Sequence, residues 1–154
     1  MVIQIDTREK QRAIKNIVAH FDREGIKHIS SKLYAGDYMS LDNPRLIVDR
    51  KQNLLEIAQN VCQGHKRFLD EILRATDAGI RLVFLIEHGG KIKSLDDVKL
   101  WENPRLKESP MAVSGERLHK ILSTMQENPK YNIEFRFCSK AETGKRIVGI
   151  LGGE

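Results

Sequence analysis

Five apolar residues in a row, Leu82-Val83-Phe84-Leu85-Ile86, run between Arg81 and Glu87. Successive strand residues project from opposite faces, so burying this run requires cover on both faces of a sheet. The rest of the chain offers that cover, because its predicted strands alternate with predicted helices. Val2 to Ile5 is a short β-rich run. Asp6 followed by Glu9 reads as a helix N-cap with its capping-box partner, leading into a helix over Gln11 to Arg23 in which Ile14, Ile17, Val18 and Phe21 keep helical spacing. Gly25 closes that helix, and Ile26 to Tyr34 reads as the next strand. Gly36 to Leu41 and Leu46 to Lys51 then form a hairpin around the turn Asp42-Asn43-Pro44-Arg45. Leu54 to Val61, Arg67 to Ala75 and Val113 to Met125 are predicted helices, Ile133 to Phe137 is the last strand, and Ala141 to Leu151 is the closing helix. This order predicts an α/β fold, a mixed β-sheet flanked by helices, since parallel neighbours need crossovers and antiparallel ones only a tight turn. The polar stretch Gly89 to Pro110, which holds Trp101 and two prolines, is expected to be a long surface excursion.

A chain of 154 residues with 40% hydrophobic content is sized for one domain with its own core. Twenty-six Lys and Arg against 21 Asp and Glu leave a formal charge of +5, which favours a polyanionic partner. No window approaches the roughly 18 consecutive apolar residues of a membrane span, so no membrane partner is expected. The N-terminal VIQIDTREK is too short and too acidic for a signal sequence, and an intracellular, cytoplasmic protein is expected. Cys62 and Cys138 are the only cysteines, which suits buried thiols in a reducing compartment rather than a disulfide framework. Cys62 and His65 have a spacing that two zinc ligands can adopt, but no second close Cys/His pair completes a tetrahedral site. The segment AETGKR, Ala141 to Arg146, is not a P-loop, because Ser139 stands where the first glycine is required and Arg146 where Ser or Thr is.

The predicted hairpin carries charges that a buried hairpin does not need. Residues two apart in a strand share a face, so Asp49 and Lys51 lie side by side while Arg50 points the other way. A register that pairs Met39 with Ile47 sets Asp37 directly opposite Asp49, with Cβ atoms about 5 Å apart. Facing carboxylates repel, and carboxylate oxygens are the ligands preferred by a hard divalent ion such as Mg²⁺. Lys51 then stands beside that ion, where it can orient or deprotonate the attacking water or stabilise charge on a phosphoryl oxygen. The bland alternatives are a turn role for Asp37 after Gly36 and a surface ion pair for Asp49.

Asp6-Thr7-Arg8-Glu9, Gly36-Asp37-Tyr38 and Val48-Asp49-Arg50-Lys51 resemble, in order and in separation, the D-x-R-E, G-D-Y and V-E-R-K motifs of the XPF-type structure-specific endonucleases. Gly64 to Glu71 is similar to that family's segment with a basic residue followed by an aromatic, and Leu82 to Glu87 to its buried strand ending in Glu. The resemblance implies a restriction-endonuclease-like fold and cleavage of DNA near branch points or flaps, with Mg²⁺ or Mn²⁺ as cofactor and 5′-phosphate and 3′-hydroxyl products. It gives catalytic positions to Asp6, Asp37, Asp49 and Lys51, with Asp37, Asp49 and Asp6 as metal ligands. Two residues depart from the pattern: Asp49 replaces the usual Glu, and Leu55 stands where an Asp is common. The tandem helix-hairpin-helix module that often follows this domain, gripping DNA and supporting dimerisation, has no room after Glu154, so residues 1–154 are expected to be the nuclease domain alone. A homodimer is compatible with the resemblance.

Arg8 and Arg50 flank the proposed metal site and are expected DNA contacts. Lys66 and Arg67 reach phosphates from the start of a helix or else form a solvated basic face. The leading reading is a metal-dependent DNA endonuclease. The alternatives are a non-catalytic nuclease-like module that docks on branched DNA or a partner protein, and a subunit active only in a larger complex. Retention of Asp6, Asp37, Asp49 and Lys51 together favours the enzyme.

Overall fold

In the computed structural model, which describes Met1–Glu154, the apolar run lies in a strand with parallel neighbours on both sides. In chain order the elements are β1 (Val2–Ile5), α1 (Lys15–Arg23), β2 (Lys27–Ser30), β3 (Tyr38–Ser40), β4 (Asn43–Lys51), α2 (Leu54–Cys62), α3 (His65–Asp77), β5 (Arg81–Glu87), α4 (Gly115–Glu127), β6 (Ile133–Cys138) and α5 (Thr143–Leu151). One six-stranded mixed sheet has the order β2-β1-β3-β4-β5-β6. Only β3 runs antiparallel to both of its neighbours.

Period-two alternation divides the core between the two faces. Ile47, Leu82, Phe84, Ile86 and Phe135 pack under α2, α3 and α4 through Ile57, Phe68, Ile72, Leu118 and Leu122. Ile3, Ile5, Tyr38, Val48, Val83 and Leu85 face α1 and α5 through Ile17, Phe21, Ile147 and Ile150. All five residues of the Leu82–Ile86 run are buried, as their lack of a polar face requires.

The β3–β4 pair has the expected register, with Met39 opposite Ile47 and Tyr38 opposite Val48. The turn is tighter than expected. Ser40 pairs with Asn43 across a register shift, so Asn43, Pro44 and Arg45 belong to β4. Pro44 is tolerated there because β4 begins to pair with β5 only at Leu46, and the exposed start of β4 needs no N–H from it.

Two expected boundaries move for a shared reason. The first helix begins at Lys15 rather than Gln11, and β2 ends at Ser30 rather than at Tyr34. Asp6 is not a helix cap: its carboxylate accepts the N–H of Leu33 at 2.7 Å and that of Arg8 at 3.0 Å, pulling the chain after β2 out of the ladder and holding the segment after β1 in turns. Ile14 instead stands at the helix N-cap, with no side-chain cap hydrogen bond. The stretch from Gly89 to Pro110 is more than a surface excursion. It contains two short 3₁₀ helices, Leu95–Leu100 and Pro104–Lys107, and inserts Ile92, Val98 and Trp101 into the core beside α4.

Gly36, immediately before Asp37, has φ +67°, and a Cβ there would overlap the Ile47 side chain. Gly25 has φ +68° with open space around it. Gly36→Ala is therefore expected to cost about 2–4 kcal/mol, from left-handed backbone plus overpacking, whereas Gly25→Ala costs only the backbone part, about 1 kcal/mol. Urea denaturation of the two variants measures the difference. Equal costs would mean that the Gly36 turn yields freely and does not fix Asp37.

Candidate active site

Asp6 follows the end of β1, Asp37 precedes the start of β3 and Asp49 lies near the end of β4, so the three acids stand at one end of these strands. Asp6 donates its backbone N–H to the Asp37 carbonyl at 2.8 Å, and Asp37 donates its own to the Val48 carbonyl at 2.9 Å. Extending the β3–β4 register by one residue sets Asp37 opposite Asp49. The ladder stops there because the Asp37 side chain, through Oδ2, accepts the Arg50 N–H at 2.7 Å. Its other oxygen takes no hydrogen bond.

A cleft of about 260 Å³ opens over this point, lined by Arg8, Glu9, Gly36, Asp37, Asp49, Arg50, Lys51, Gln52, Glu56 and Glu71, with no hydrophobic residue. Burial, with the nearby carboxylates of Asp49 and Glu9, pushes the Asp37 pKa well above the ordinary carboxylate range. Lys51 Nζ lies 3.3 Å from Asp49 Oδ1 and within 6 Å of two aromatic rings, 5.6 Å from the Phe68 centroid and 5.8 Å from that of Phe84. Burial alone would lower the Lys51 pKa, but Asp49, Glu56, Glu71 and Asp37 outweigh it and raise the value. The amine is thus held as an ammonium, which makes it a fixed positive charge at neutral pH.

Sequence reasoning missed Glu71. It projects from α3 into the same cleft, and burial together with Asp49 raises its pKa. The signal was present in the helical period, since Glu71 follows Arg67 by four residues and shares its face. Leu55, at the position where the motif departs, packs against the core, and Glu56 beside it turns to the cleft instead.

Asp6 lies outside the cleft lining. It is fully buried, and both oxygens are engaged, Oδ1 by the Leu33 N–H and Oδ2 by the Arg8 N–H and, at 2.6 Å, by Arg8 Nε. Arg8 itself is 63% exposed along its side chain and borders a second cleft with Lys66, Arg67 and Arg74. Three of the four expected DNA contacts, Arg8, Lys66 and Arg67, therefore line one basic surface that joins the acidic cleft at Arg8 and Glu71.

The fourth, Arg50, is corrected by the structure. Its side chain is 5% exposed and turned under the sheet, where Nε bonds Glu9 at 2.8 Å and Nη1 bonds Glu87 at 2.5 Å. Glu9, expected as a capping-box partner, holds Arg50 with both carboxylate oxygens. Three of its five N–H donors are so engaged, and the 5% exposure of the side chain turns the guanidinium away from any phosphate in the cleft. Glu87 accepts a further bond from the Thr143 hydroxyl at 2.7 Å, linking the site to the start of α5.

No three His, Cys, Asp or Glu side chains are grouped closely enough to hold a metal ion unaided. The donor set nonetheless fits a hard divalent ion. Mg²⁺ is ordinarily held by one or two carboxylates, waters and substrate phosphates rather than by an all-protein cage. Asp37 and Asp49 supply two such carboxylates in a cleft that otherwise keeps like charges together.

No curated protein matches the chain. Solved structures that share its fold include XPF from Aeropyrum pernix, 18% identical with a TM-score of 0.67, and XPF from Aeropyrum pernix in complex with DNA, 17% identical with a TM-score of 0.66. Each match covers 98% of this chain and 63% of the other. The family model described as the ERCC4 domain matches residues 5–148. The chain belongs to the ERCC4 domain family, whose members are typically nucleases.

Proposed function

We propose that the chain is a divalent-metal-dependent endonuclease that hydrolyses phosphodiesters in DNA, with branched or flap structures as its substrates. The observation that carries this reading is the juxtaposition of Asp37, Asp49 and Lys51 on one face of the β3–β4 pair, beside a basic cleft. Family membership supports it independently.

Asp37 and Asp49 would hold the ion, with Glu71 lining the same cleft but not grouped with them closely enough to complete a protein-only site. A bound divalent ion supplies Lewis acidity to a phosphoryl oxygen and to the attacking water. Lys51, kept charged by its acidic neighbours, is suited to neutralise a non-bridging phosphoryl oxygen rather than to remove a proton. Arg8, Lys66 and Arg67 would track the DNA backbone toward the acids. Asp6 acts one step back, holding Arg8 by its Nε and the Leu33 segment by its backbone.

Metal binding should depend on pH with a definite sign. The Asp37 pKa is raised in the folded protein, so the proton must leave before the carboxylate can ligate. Mn²⁺ affinity in calorimetric titrations is expected to rise with pH above about pH 4, where an ordinary Asp has already titrated. The same raised value means that the metal-free fold prefers neutral Asp37 and loses stability as pH rises through that pKa. Asp37→Asn is therefore expected to abolish Mn²⁺ binding while raising the melting temperature of the metal-free protein at pH 7 by roughly 2–4 °C for each kcal/mol relieved. A variant that binds Mn²⁺ normally, or that melts lower, would contradict the assignment.

For the chemistry, in a panel of labelled flaps, forks, single strands and duplexes the flaps and forks should be cut with Mg²⁺ or Mn²⁺ and not with chelator, and blunt duplexes should be cut least. Lys51→Ala is expected to slow cleavage by about 10²-fold or more while leaving DNA affinity largely intact. Cleavage at the wild-type rate by a correctly folded Lys51→Ala protein would remove Lys51 from the mechanism.

A further inference from the structure

Of the four Trp and Tyr side chains three are taken up by packing: Tyr38 is fully buried, Trp101 is 8% exposed and Tyr131 packs against the core. Tyr34 is 57% exposed, although Leu33 before it and Ala35 after it are buried. Its backbone is held from both sides. Leu33 is pinned by Asp6, and the Tyr34 carbonyl accepts a hydrogen bond from Arg74 Nη2 at 3.1 Å. The Arg74 guanidinium carbon also lies 5.1 Å from the centroid of the Tyr34 ring.

An exposed ring on a fixed backbone, backed by a cation, forms a rigid stacking surface with little side-chain entropy left to lose. Its location gives that surface a ligand. Arg74 lines the basic cleft with Arg8, Lys66 and Arg67, and Tyr34 precedes Asp37 by three residues. The ring thus stands against the Arg74 side of the cleft, at its margin. Bases within a duplex are already stacked on their neighbours, so only an unpaired base can offer its face to a protein ring.

We propose that Tyr34, backed by Arg74, stacks on an unpaired base beside the scissile phosphate and thereby selects DNA that is single-stranded at the cut. The inference rests on the nuclease reading of the adjoining cleft and assigns a source for its substrate preference. Arg74 is a positioning residue here, since it holds the ring and the carbonyl of Tyr34.

The test is equilibrium binding of the full chain, in chelator, to a fluorescein-labelled flap, a single strand and a blunt duplex. A second set of flaps carries 2-aminopurine at the unpaired position next to the junction. Tyr34→Ala is expected to weaken flap and single-strand binding about tenfold or more, to change duplex binding less than about twofold, and to lose the quenching of 2-aminopurine seen with wild type. Tyr34→Phe should behave as wild type. Equal loss on all three DNAs, no loss on any, or unchanged quenching by Tyr34→Ala would overturn the stacking role while leaving the nuclease reading in place. Failure of the wild-type chain to bind any of the DNAs would overturn both.

Discussion

The Arg50 guanidinium lies under the sheet between Glu9 and Glu87, so a single buried cation ties the turn after β1 to the middle strand β4 and to the end of β5. Burying three charges carries a desolvation cost of several kcal/mol per ion, which only complete pairing offsets. Removing the guanidinium would leave two uncompensated carboxylates and cost about 3–5 kcal/mol. The consequence for the site follows from strand geometry. With Arg50 fixed below the sheet, Asp49 and Lys51 are fixed above it, on the face of Phe68 and Phe84. The bond from Thr143 to Glu87 extends the same network to α5, so the last helix is coupled to the strand that carries the acids.

Above the sheet the balance is reversed. Asp37, Asp49, Glu56 and Glu71 gather around one lysine, and Asp37 sits there largely desolvated. A fold selected only for stability would dilute these charges or replace them. A fold that recruits a divalent ion and then a phosphodiester needs them held in place beforehand, with the repulsion relieved by the ligands. Lys66, Arg67 and Arg74 lie to the side of the acids along α3 rather than among them, an arrangement that under the proposed function would draw in a polyanion while leaving the acid cleft negative.

The parts legible in the sequence were those governed by a short period. Five apolar residues in succession required the two-sided burial of β5, and alternation around Ile47 fixed the β3–β4 register and the shared face of Asp37, Asp49 and Lys51. Where a residue's partner lay far along the chain, local pattern misled. Asp6 and Glu9 satisfy the spacing of a helix cap, yet Asp6 bonds a residue 27 positions away and Glu9 one 41 positions away. Arg50 was expected at DNA because it flanks the acids, although the alternation that placed Asp49 above the sheet already sent Arg50 below it. Trp101 lies in a polar stretch whose composition conceals that Ile92, Val98 and Trp101 together close the core beside α4.

The central claim is that Asp37 and Asp49 face each other because they bracket a divalent cation. The anomalous difference map of crystals grown with Mn²⁺ tests it most directly. The account predicts a peak within coordination distance of both carboxylates, on the Lys51 side of the sheet, that disappears in Asp37→Asn crystals. A map with no peak there, or with Mn²⁺ only on surface acids such as Asp96 and Asp97, would contradict it.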